Sequence, residues 1–246
     1  MIIGNNLIFY ENLPSTNARA AHLLKNCEIQ EGTIIYTNYQ SAGRGQTGNR
    51  WESEDGKNLL FSVVLFPTMI QPADQFFISM SVSLGICDFL KRYIPSFMIK
   101  WPNDIYVNND KIAGILIENS IMSDHIENTI AGIGLNINQK KFLSDAQNPV
   151  SLSIITGENY DLAICLEQLA SDLDESYKQL LSGNFAQIKH KYVSKLYRLN
   201  QWCNFRDQFG IYSGRIISVT DTGRLQIERP DGNIIEYSFK EVDFIL

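Results

Sequence analysis

Two short parts of the chain combine the residue types that nucleotide chemistry needs. Residues 43–51 (GRGQTGNRW) set three glycines among two arginines and end on a tryptophan. Glycine lets the backbone approach an anion and direct N–H groups at it, and an indole ring offers a flat surface to a nucleobase. Residues 100–104 (KWPND) and 111–114 (KIAG) add two lysines, with an Asn and an Asp between them. Together they predict a nucleotide site at which a phosphate is chemically changed.

The glycine spacing also fits other phosphate-binding loops, which its surroundings argue against. The pattern G-x-G-x-x-G formally matches the dinucleotide-binding fingerprint, but that fingerprint needs a helix directly after the glycines. Here the polar residues 49–56 lead to another strand. The sequence has no Walker pattern and none of the companion motifs of a protein kinase. An inert glycine-rich surface hairpin stays open as the plain alternative, although such a hairpin would not need two arginines and a tryptophan.

Size and composition predict a soluble globular protein. With 246 residues, 44% apolar content and a net charge of −6, the chain can form one large domain, alone or with a small companion. The acidic balance argues mildly against nucleic acid as a partner. No basic residue precedes Arg19, and the apolar runs at 59–66 and 76–87 are too short or too interrupted to span a bilayer. We therefore expect a cytoplasmic protein with no membrane partner.

Four isolated cysteines fit the same expectation. None of them forms a Cys-x-x-Cys pair, and the three histidines are equally scattered. Reduced cysteines in the core of a cytosolic protein are therefore expected, rather than a zinc site or a disulfide framework. The four are Cys27, Cys87, Cys165 and Cys203.

Hydrophobic periodicity predicts the elements that must position the two segments. Ser15 or Thr16 is expected to cap the first helix, and residues 108–110 (NND) are expected to form a hairpin turn. Helices are predicted at 18–24, 75–93, 161–181 and 185–196. Strands are predicted at 7–10, 33–39, 58–66, 98–100, 105–107, 111–118 and 128–138, with 58–66 buried on both faces.

The last part of the chain changes character. From residue 201 onwards, glycines at 210, 214, 223 and 232 are expected to separate short β runs, which suggests a small barrel. A domain boundary is predicted near residues 197–201, with one domain at 1–197 and the second at 198–246.

Six segments, taken in order, resemble the biotin protein ligase family, that is, the biotin–[acetyl-CoA-carboxylase] ligases. They are 15–17 (STN), 40–45 (QSAGRG), 50–51 (RW), 100–104 (KWPND), 111–118 (KIAGILIE) and 132–138 (GIGLNIN). Any one of them is weak, but six in the family's order and spacing are specific. The resemblance implies an α/β (α+β) fold: a mixed, largely antiparallel sheet backed by helices, followed by a small C-terminal SH3-like β-barrel.

The resemblance also implies a two-step reaction. Biotin and ATP, with Mg²⁺, give biotinyl-5′-AMP and pyrophosphate, and a lysine of a biotin carboxyl carrier protein or domain then takes the biotinyl group. The carboxylate of biotin is already ionised at neutral pH, so its attack on the α-phosphate needs no base. The need is charge neutralisation at the phosphoryl group, which lysines, arginines, backbone N–H groups and Mg²⁺ supply.

Site residues follow from the resemblance, position by position. Lys111 is expected to touch both the biotin carboxylate and the α-phosphate. Asp104 is expected either to hold Mg²⁺ through water or to help deprotonate the incoming lysine. The catalytic residues implied are Lys111, Arg44 and Asp104.

The resemblance also implies binding residues for the two substrates. Those implied for biotin are Ser15, Thr16, Asn17, Gln40, Gly43, Arg44, Gly45, Lys111, Gly114 and Gly134. Those implied for the nucleotide are Arg50, Trp51, Lys100, Asn103, Lys111 and Asn136, with Trp51 stacked on adenine. A helix cap at 15–17, a core tryptophan and solvated basic side chains are the plainer alternatives.

Two departures from the family pattern carry expectations. Gln46 and Thr47 stand where many relatives have further basic residues, so biotinyl-AMP is expected to escape faster than from those relatives. The chain starts directly at the catalytic domain, which predicts a monofunctional ligase without the N-terminal DNA-binding domain, and no operator binding.

Two rival functions stay open. A lipoate ligase or acyltransferase would use the same fold, although residues 15–17 suit a polar ureido ring better than a dithiolane. A non-catalytic biotin or nucleotide sensor would not need the charges at 104 and 111. The oligomeric state is also open, because exposed strand edges could pair in a homodimer.

Overall fold

A seven-stranded sheet forms the larger part of the protein, as seen in a computed structural model that describes residues 1–26, 29–46, 48–143 and 148–245. Its strands are β1 (Leu7–Leu13), β2 (Ile34–Gln40), β3 (Leu59–Leu65), β4 (Met98–Lys100), β5 (Asp104–Val107), β6 (Asp110–Met122) and β7 (His125–Leu135). The helices are α1 (Thr16–Asn26), α2 (Phe76–Leu90), α3 (Leu152–Thr156), α4 (Leu162–Leu181) and α5 (Phe185–Ser194), with a short 3₁₀ turn at Pro72–Asp74.

The sheet has the spatial order β1-β2-β3-β7-β6-β5-β4. β1 pairs with β2 in parallel, and every other neighbouring pair is antiparallel. The predicted mixed, largely antiparallel sheet is therefore confirmed. β3 is buried along its whole length, as predicted, because helices cover both faces of the sheet. On one face α1 packs over Ile35 and Val64, and on the other face the apolar sides of α2 and α4 close the main core.

Helix α2 is the most apolar of the helices of ten residues or more in the described chain segments. Together with its preceding turn, over Pro72–Leu90, it is long and apolar enough to cross a membrane, with a mean hydropathy of 1.2. However, 72% of the apolar stretch of this segment is buried inside the protein. It packs against α4 and α5, which identifies it as a core helix.

A second sheet follows at the C-terminal end. Its strands are β8 (Trp202–Asp207), β9 (Gly210–Val219), β10 (Leu225–Glu228), β11 (Ile234–Tyr237) and β12 (Asp243–Phe244), in the order β11-β10-β9-β8-β12 and antiparallel throughout. The sheet contacts the first one through Trp101, whose indole N–H donates to Gly223 O at 2.9 Å. The Phe244 ring lies under the Lys100 amine, at 5.4 Å.

Local sequence signals predicted several details correctly. Ser15 caps α1, since its Oγ accepts from the backbone N–H of Ala18 at 3.4 Å. Asn108 has φ 55°, in the two-residue turn that joins Val107 to Asp110. Among the described cysteines, Cys87 and Cys165 are buried and Cys203 is half-buried, all with free thiols. Cys27 lies outside the described residues.

Other expectations were wrong. α2 and α5 end at Leu90 and Ser194, earlier than predicted, because the chain continues in tighter turns rather than in α-helix. The β6–β7 hairpin is longer than predicted, and the short helix α3 was not predicted at all. Gly214 does not separate two β runs but lies inside β9. A Cβ there would lie 2.6 Å from Ile227 Cγ2, so this glycine serves close packing of neighbouring strands.

Candidate active site

Three glycines leave part of the sheet surface bare on the α1 face. Gly114 of β6 pairs with Gly134 of β7, and Gly132 lies two residues further along the same face. The Trp51 ring lies on this bare floor. A Cβ built on Gly134 would be 2.4 Å from the ring, and one on Gly114 would be 2.9 Å from it. Only glycine lets the indole approach the backbone so closely.

An ion pair stands at the edge of the floor. Asp104 is the β5 neighbour of Gly114, and an irregularity in the β5–β6 pairing brings Lys111 beside it. Lys111 Nζ lies 2.7 Å from Asp104 Oδ1, and the two side chains are 29% and 24% exposed. The backbone of Lys111 is fixed as well, because its N–H donates to Asn148 O at 2.7 Å. A cation and a carboxylate are thus held rigidly while both stay open to a ligand.

A second lysine lies behind this pair. Lys100 Nζ donates to Tyr106 Oη at 3.2 Å and lies over the Tyr106 and Phe244 rings, at 4.8 and 5.4 Å. Burial of the amine is the main reason why the pKa of Lys100 is lowered, and Lys111 and Arg198 lower it further while Asp104 opposes them. A negative group bound at this end of the site would favour the charged form of Lys100.

Polar side chains gather at the start of α1. The backbone N–H of Thr16 donates to Gln40 Oε1 at 2.8 Å. Ser62, on β3, has its Oγ 2.7 Å from Thr16 Oγ1 and 2.6 Å from Asn17 Oδ1. Asn17 in turn donates to Glu118 Oε2 at 2.7 Å. Thr16, Asn17 and Ser62 are almost wholly buried, so their hydrogen bonds fix one arrangement of the pocket wall.

The glycine-rich loop folds over this wall. Arg44 and Arg50 form an isolated antiparallel bridge, so the loop is a small hairpin of its own. Arg44 Nη2 lies 3.1 Å from Glu118 Oε2 and ties the loop to β6. Trp51, at the end of the loop, reaches the glycine floor. The loop therefore contacts both the polar wall and the site of the ion pair.

These parts surround one cleft of about 370 Å³. The residues predicted for the site line it, with two exceptions. Gly43 is buried behind the loop, where its carbonyl accepts from the Trp51 N–H at 3.0 Å. Asn136 is buried just after the end of β7 and donates to Val150 O at 3.0 Å, while its Oδ1 is a buried acceptor without a partner in the described part of the chain. The predicted residues that line the cleft are Ser15, Thr16, Asn17, Gln40, Arg44, Gly45, Arg50, Trp51, Lys100, Asn103, Asp104, Lys111, Gly114 and Gly134.

Asn103 lines the cleft but is engaged by the protein. Its Nδ2 donates to Ile115 O, and its own carbonyl accepts from the Ile115 N–H at 3.1 Å. It thereby anchors the turn between β4 and β5 to β6, and its side-chain oxygen and second amide hydrogen are left for a ligand. Thr47, the other loop residue singled out with Gln46, lies outside the described residues.

Some residues of the site were missed by sequence reasoning. Glu118 was seen as part of a motif and given no role, although a carboxylate at the end of an apolar strand was a visible signal. Ser62 lies inside a buried strand, where its hydroxyl was the available sign. The C-terminal sheet supplies further lining residues that no local pattern could place, because they are distant in sequence. They are Phe239, Lys240, Val242, Asp243 and Phe244.

No cluster of three or more His, Cys, Asp or Glu side chains able to hold a metal exists in the described ranges. A metal bound here by the protein alone is thus not supported in that part of the chain. Asp104 is the carboxylate of the ion pair at the floor, and it fits Mg²⁺ only in the usual way for this ion, together with water and substrate phosphates.

Comparison with known proteins identifies the class of protein. The model of the Biotin/lipoate A/B protein ligase family matches residues 9–136, and the chain belongs to this family. The bifunctional ligase/repressor BirA of Bacillus subtilis is 30% identical over 94% of this chain and 72% of that protein. The biotin–[acetyl-CoA-carboxylase] ligase of Paracoccus denitrificans is 28% identical over 89% of this chain and 92% of that protein.

A solved structure agrees over almost the whole chain. The biotin protein ligase from Aquifex aeolicus, in complex with biotin and ATP, superposes with a TM-score of 0.81 at 27% identity, covering 98% of this chain and 99% of that one. The match includes both sheets, so the fold, with its second antiparallel sheet, is that of biotin protein ligases.

Proposed function

We propose that this protein is an ATP-dependent biotin protein ligase that forms biotinyl-5′-AMP from biotin and ATP and then transfers biotin to a lysine of a carrier protein. The observation that carries the proposal is the cleft in which the polar start of α1, the glycine-rich loop and the Lys111–Asp104 pair meet. The relatives named above, all ligases or bifunctional ligase/repressors, support the same activity.

In the first step, the cleft positions two anions against each other. The biotin carboxylate is the nucleophile and the α-phosphate the electrophile, and both carry negative charge. Lys111 at the floor and Arg44 on the loop are placed to neutralise that charge, which is the main contribution a protein makes to phosphoryl transfer. Lys100, whose pKa is lowered mainly by burial of its amine, would face the nucleotide phosphates.

The nucleotide and biotin would occupy neighbouring parts of the cleft. Biotin would lie beside the Trp51 ring that covers the glycine floor, with its own ring towards Ser15, Thr16, Asn17 and Gln40. Adenine would stack on Trp51, whose buried indole N–H has no partner in the described residues. When Mg²⁺ accompanies ATP, it neutralises the phosphates, and Asp104 is the residue placed to hold it through water.

In the second step, the protein must accept a lysine that starts as an ammonium ion. A lysine amine has an ordinary pKa near ~10.4, so it must lose a proton before it attacks the anhydride. Asp104 can take that proton, and the neighbouring positive charge of Lys111 also favours the neutral amine. The amine nitrogen then bonds to the biotinyl carbonyl carbon, the C–O bond to the phosphate breaks, and AMP leaves. The carrier protein, a cytoplasmic location and a homodimer remain predictions.

Pyrophosphate release with MgATP tests the proposal, measured without acid, with biotin and with lipoate, on the wild type and on Lys111→Ala. We expect release only with biotin. The variant should lose about 10³-fold in kcat/KM, because the cation acts on charge that develops in the transition state. Lys25→Ala, on the exposed side of α1, is the matched control and should behave as the wild type.

Other outcomes have definite meanings. Release with lipoate alone would assign the protein to the other branch of its family. No release with either acid, from a folded protein that binds biotin, would make it a sensor. Full activity in Lys111→Ala would show that the cation at the floor does no chemistry.

A further inference from the structure

We propose that Glu118 is a positioning residue that fixes which atoms of the pocket wall donate and which accept hydrogen bonds, and so selects a ureido ring. The inference rests on the proposed function, because it concerns the biotin end of the same cleft. It starts from the five side chains that form a continuous chain of contacts from the loop to the end of β2. They are Glu118, Asn17, Ser62, Thr16 and Gln40.

The orientation of Asn17 is set first. Its Nδ2 lies 2.7 Å from Glu118 Oε2 and 3.3 Å from Leu116 O. An ionised carboxylate and a backbone carbonyl can only accept, so both amide hydrogens must point at them. The Asn17 Oδ1 atom therefore faces the other way. Gly132 makes room for it, because a Cβ there would lie 2.2 Å from Oδ1.

The orientation of Asn17 then determines the direction in which the two hydroxyl groups, of Ser62 and Thr16, donate. Asn17 Oδ1 can only accept, and Ser62 Oγ lies 2.6 Å from it, so Ser62 uses its one hydrogen there. The 2.7 Å contact between Ser62 Oγ and Thr16 Oγ1 must then be made with the hydrogen of Thr16. Thr16 Oγ1 also lies 3.2 Å from Gln40 Oε1, so the shorter contact, to Ser62, takes the larger share of this one hydrogen. The Thr16 hydroxyl, the Ser62 hydroxyl and the Asn17 amide thus donate in the direction of Glu118, which closes the chain as an acceptor, while the Thr16 backbone N–H donates the other way, to Gln40.

The open end of the chain faces the cleft with a defined polarity. Thr16 Oγ1 has used its hydrogen and offers lone pairs. Gln40 Oε1 accepts from the Thr16 N–H at 2.8 Å, which leaves the Gln40 NH₂ group as a donor. A ureido ring carries N–H donors and a carbonyl acceptor and matches this pair of groups. A dithiolane ring carries neither and would leave buried polar groups unpaired.

Arg44 adds a second donor to the same carboxylate. Its Nη2 lies 3.1 Å from Glu118 Oε2, but the two side chains are 47% and 39% exposed. An ion pair so open to water contributes little by itself. The effect of Glu118 on ligand binding should therefore run mainly through Asn17, and it should affect biotin rather than ATP.

The test compares Glu118→Leu with Glu118→Gln, using Glu127→Gln on β7 as an exposed control carboxylate. Biotin affinity is measured by calorimetry, and the KM values for biotin and ATP by pyrophosphate release. Leu removes the acceptor and frees Asn17 to turn, so we expect the biotin Kd to rise about 10- to 30-fold with the ATP KM within about 2-fold. Gln keeps an acceptor oxygen for Asn17, so its biotin Kd should rise no more than about 3-fold.

A double variant that exchanges the donor and the acceptor between positions 17 and 118 distinguishes a positioning role from a general structural effect. Asn17→Asp sets two carboxylates against each other and should weaken biotin binding strongly. Adding Glu118→Gln supplies a new NH₂ donor to the introduced carboxylate while Ser62 still finds an acceptor, so the double variant should recover at least a third of the lost affinity on a logarithmic scale. Desthiobiotin, which keeps the ureido ring, should follow biotin throughout.

The results separate the two proposals. An unchanged biotin Kd in a folded Glu118→Leu variant, or a double variant no better than Asn17→Asp, would overturn the role of Glu118 while biotin-dependent pyrophosphate release still stood. Equal losses for biotin and ATP would also overturn it, since they indicate general damage to the cleft. Absence of that release in the wild type would remove the proposed function itself.

Discussion

Each of the two sheets carries an ion pair between an aspartate and a basic residue, and the two pairs serve opposite purposes. In the five-stranded sheet, Asp207 is only 4% exposed and accepts from Arg229 Nη2 at 2.8 Å. It also accepts from Tyr237 Oη at 2.9 Å and from the Phe209 N–H at 2.8 Å. In the seven-stranded sheet, Asp104 meets Lys111 at 2.7 Å beside a floor of glycines.

The difference between the two ion pairs lies in which groups form their other hydrogen bonds, protein groups in one case and a ligand in the other. Around Asp207 the protein supplies the partners, so the cluster stabilises the fold. Around Asp104 and Lys111 a cleft stands open, so a ligand can replace either partner. An ion pair is therefore no sign of function by itself, and the space beside it decides what it can do.

Exchanging each aspartate for its neutral isostere separates the two uses and has the largest expected effect. Asp207→Asn leaves Arg229 without its carboxylate in a site that is mostly buried. We expect a loss of about 2–3 kcal/mol in the free energy of unfolding, below the full cost of breaking a buried pair because Arg229 keeps some contact with water. Urea unfolding measures the loss, and activity per folded molecule should stay normal.

Asp104→Asn is the matched variant. It should change the free energy of unfolding by less than about 1 kcal/mol, as expected for a pair open to solvent. Transfer of biotin to the carrier lysine should fall about 10²-fold, if Asp104 takes the proton of the amine. Equal stability losses in the two variants, or normal transfer by Asp104→Asn, would abolish the contrast between the sheets.

The dependence of stability on pH sharpens the same contrast. Burial of the Asp207 carboxylate raises its pKa, but the Phe209 N–H, the Tyr237 hydroxyl and Arg229 outweigh it, so the folded pKa is lower than usual. Its stabilisation is thus fully present above the unfolded pKa of ~3.9 and is lost as the pH falls through the folded value. The stability gap between wild type and Asp207→Asn should be constant from about pH 5 to 7 and shrink below about pH 4.

Glycines of the two sheets give a second and smaller contrast. A Cβ on Gly134 would meet the Trp51 ring at 2.4 Å, whereas one on Gly214 would meet Ile227 Cγ2 at 2.6 Å. Trp51 is a half-buried residue at the end of a loop, whereas Ile227 is wholly buried in a core. Gly134→Ala should therefore weaken ATP and biotin binding about 10-fold, or about 1.4 kcal/mol. Gly214→Ala should instead cost stability, by about 1–2 kcal/mol.

Binding titrations and thermal unfolding on both variants measure this contrast. If Gly134→Ala lowers the melting temperature as much as Gly214→Ala while its ligand affinities stay normal, Trp51 is part of the core, and the plainer interpretation of that tryptophan replaces the adenine-stacking proposal.

The sequence predicted what depends on local signals. A few neighbouring residues are enough to indicate a glycine-rich loop between arginines, a polar helix cap or an Asn-rich turn. The fold class followed from the same signals together with the family resemblance. The register that brings Asp104, Gly114 and Gly134 into one row needs long-range pairing, which no local pattern contains.

The errors have physical causes. Gly214 was given the commonest role of an isolated glycine, a turn, although close packing against Ile227 determined its position. Asn136 carries a polar side chain in a glycine-rich motif, yet that side chain donates to Val150 and does not line the cleft. The contribution of Phe244 to the cleft depends on how the second sheet lies against the first. Such contacts between distant segments exist only in the folded chain.

The smallest expected effect concerns the loop rather than either sheet. Gln46 lines the cleft, and its Oε1 is a buried acceptor without a partner within the described ranges. A cation in its place would attract the negative phosphate of biotinyl-AMP. Gln46→Arg should therefore slow release of the adenylate about 3-fold or more, which corresponds to a difference on the order of 1 kcal/mol.

Gln208→Arg, in the exposed turn between β8 and β9, adds the same charge away from the cleft and should leave release unchanged. Release is followed by filter binding of preformed radiolabelled adenylate. An unchanged rate in Gln46→Arg would mean that the glycine floor and the polar wall retain the adenylate without help from the charge of the loop.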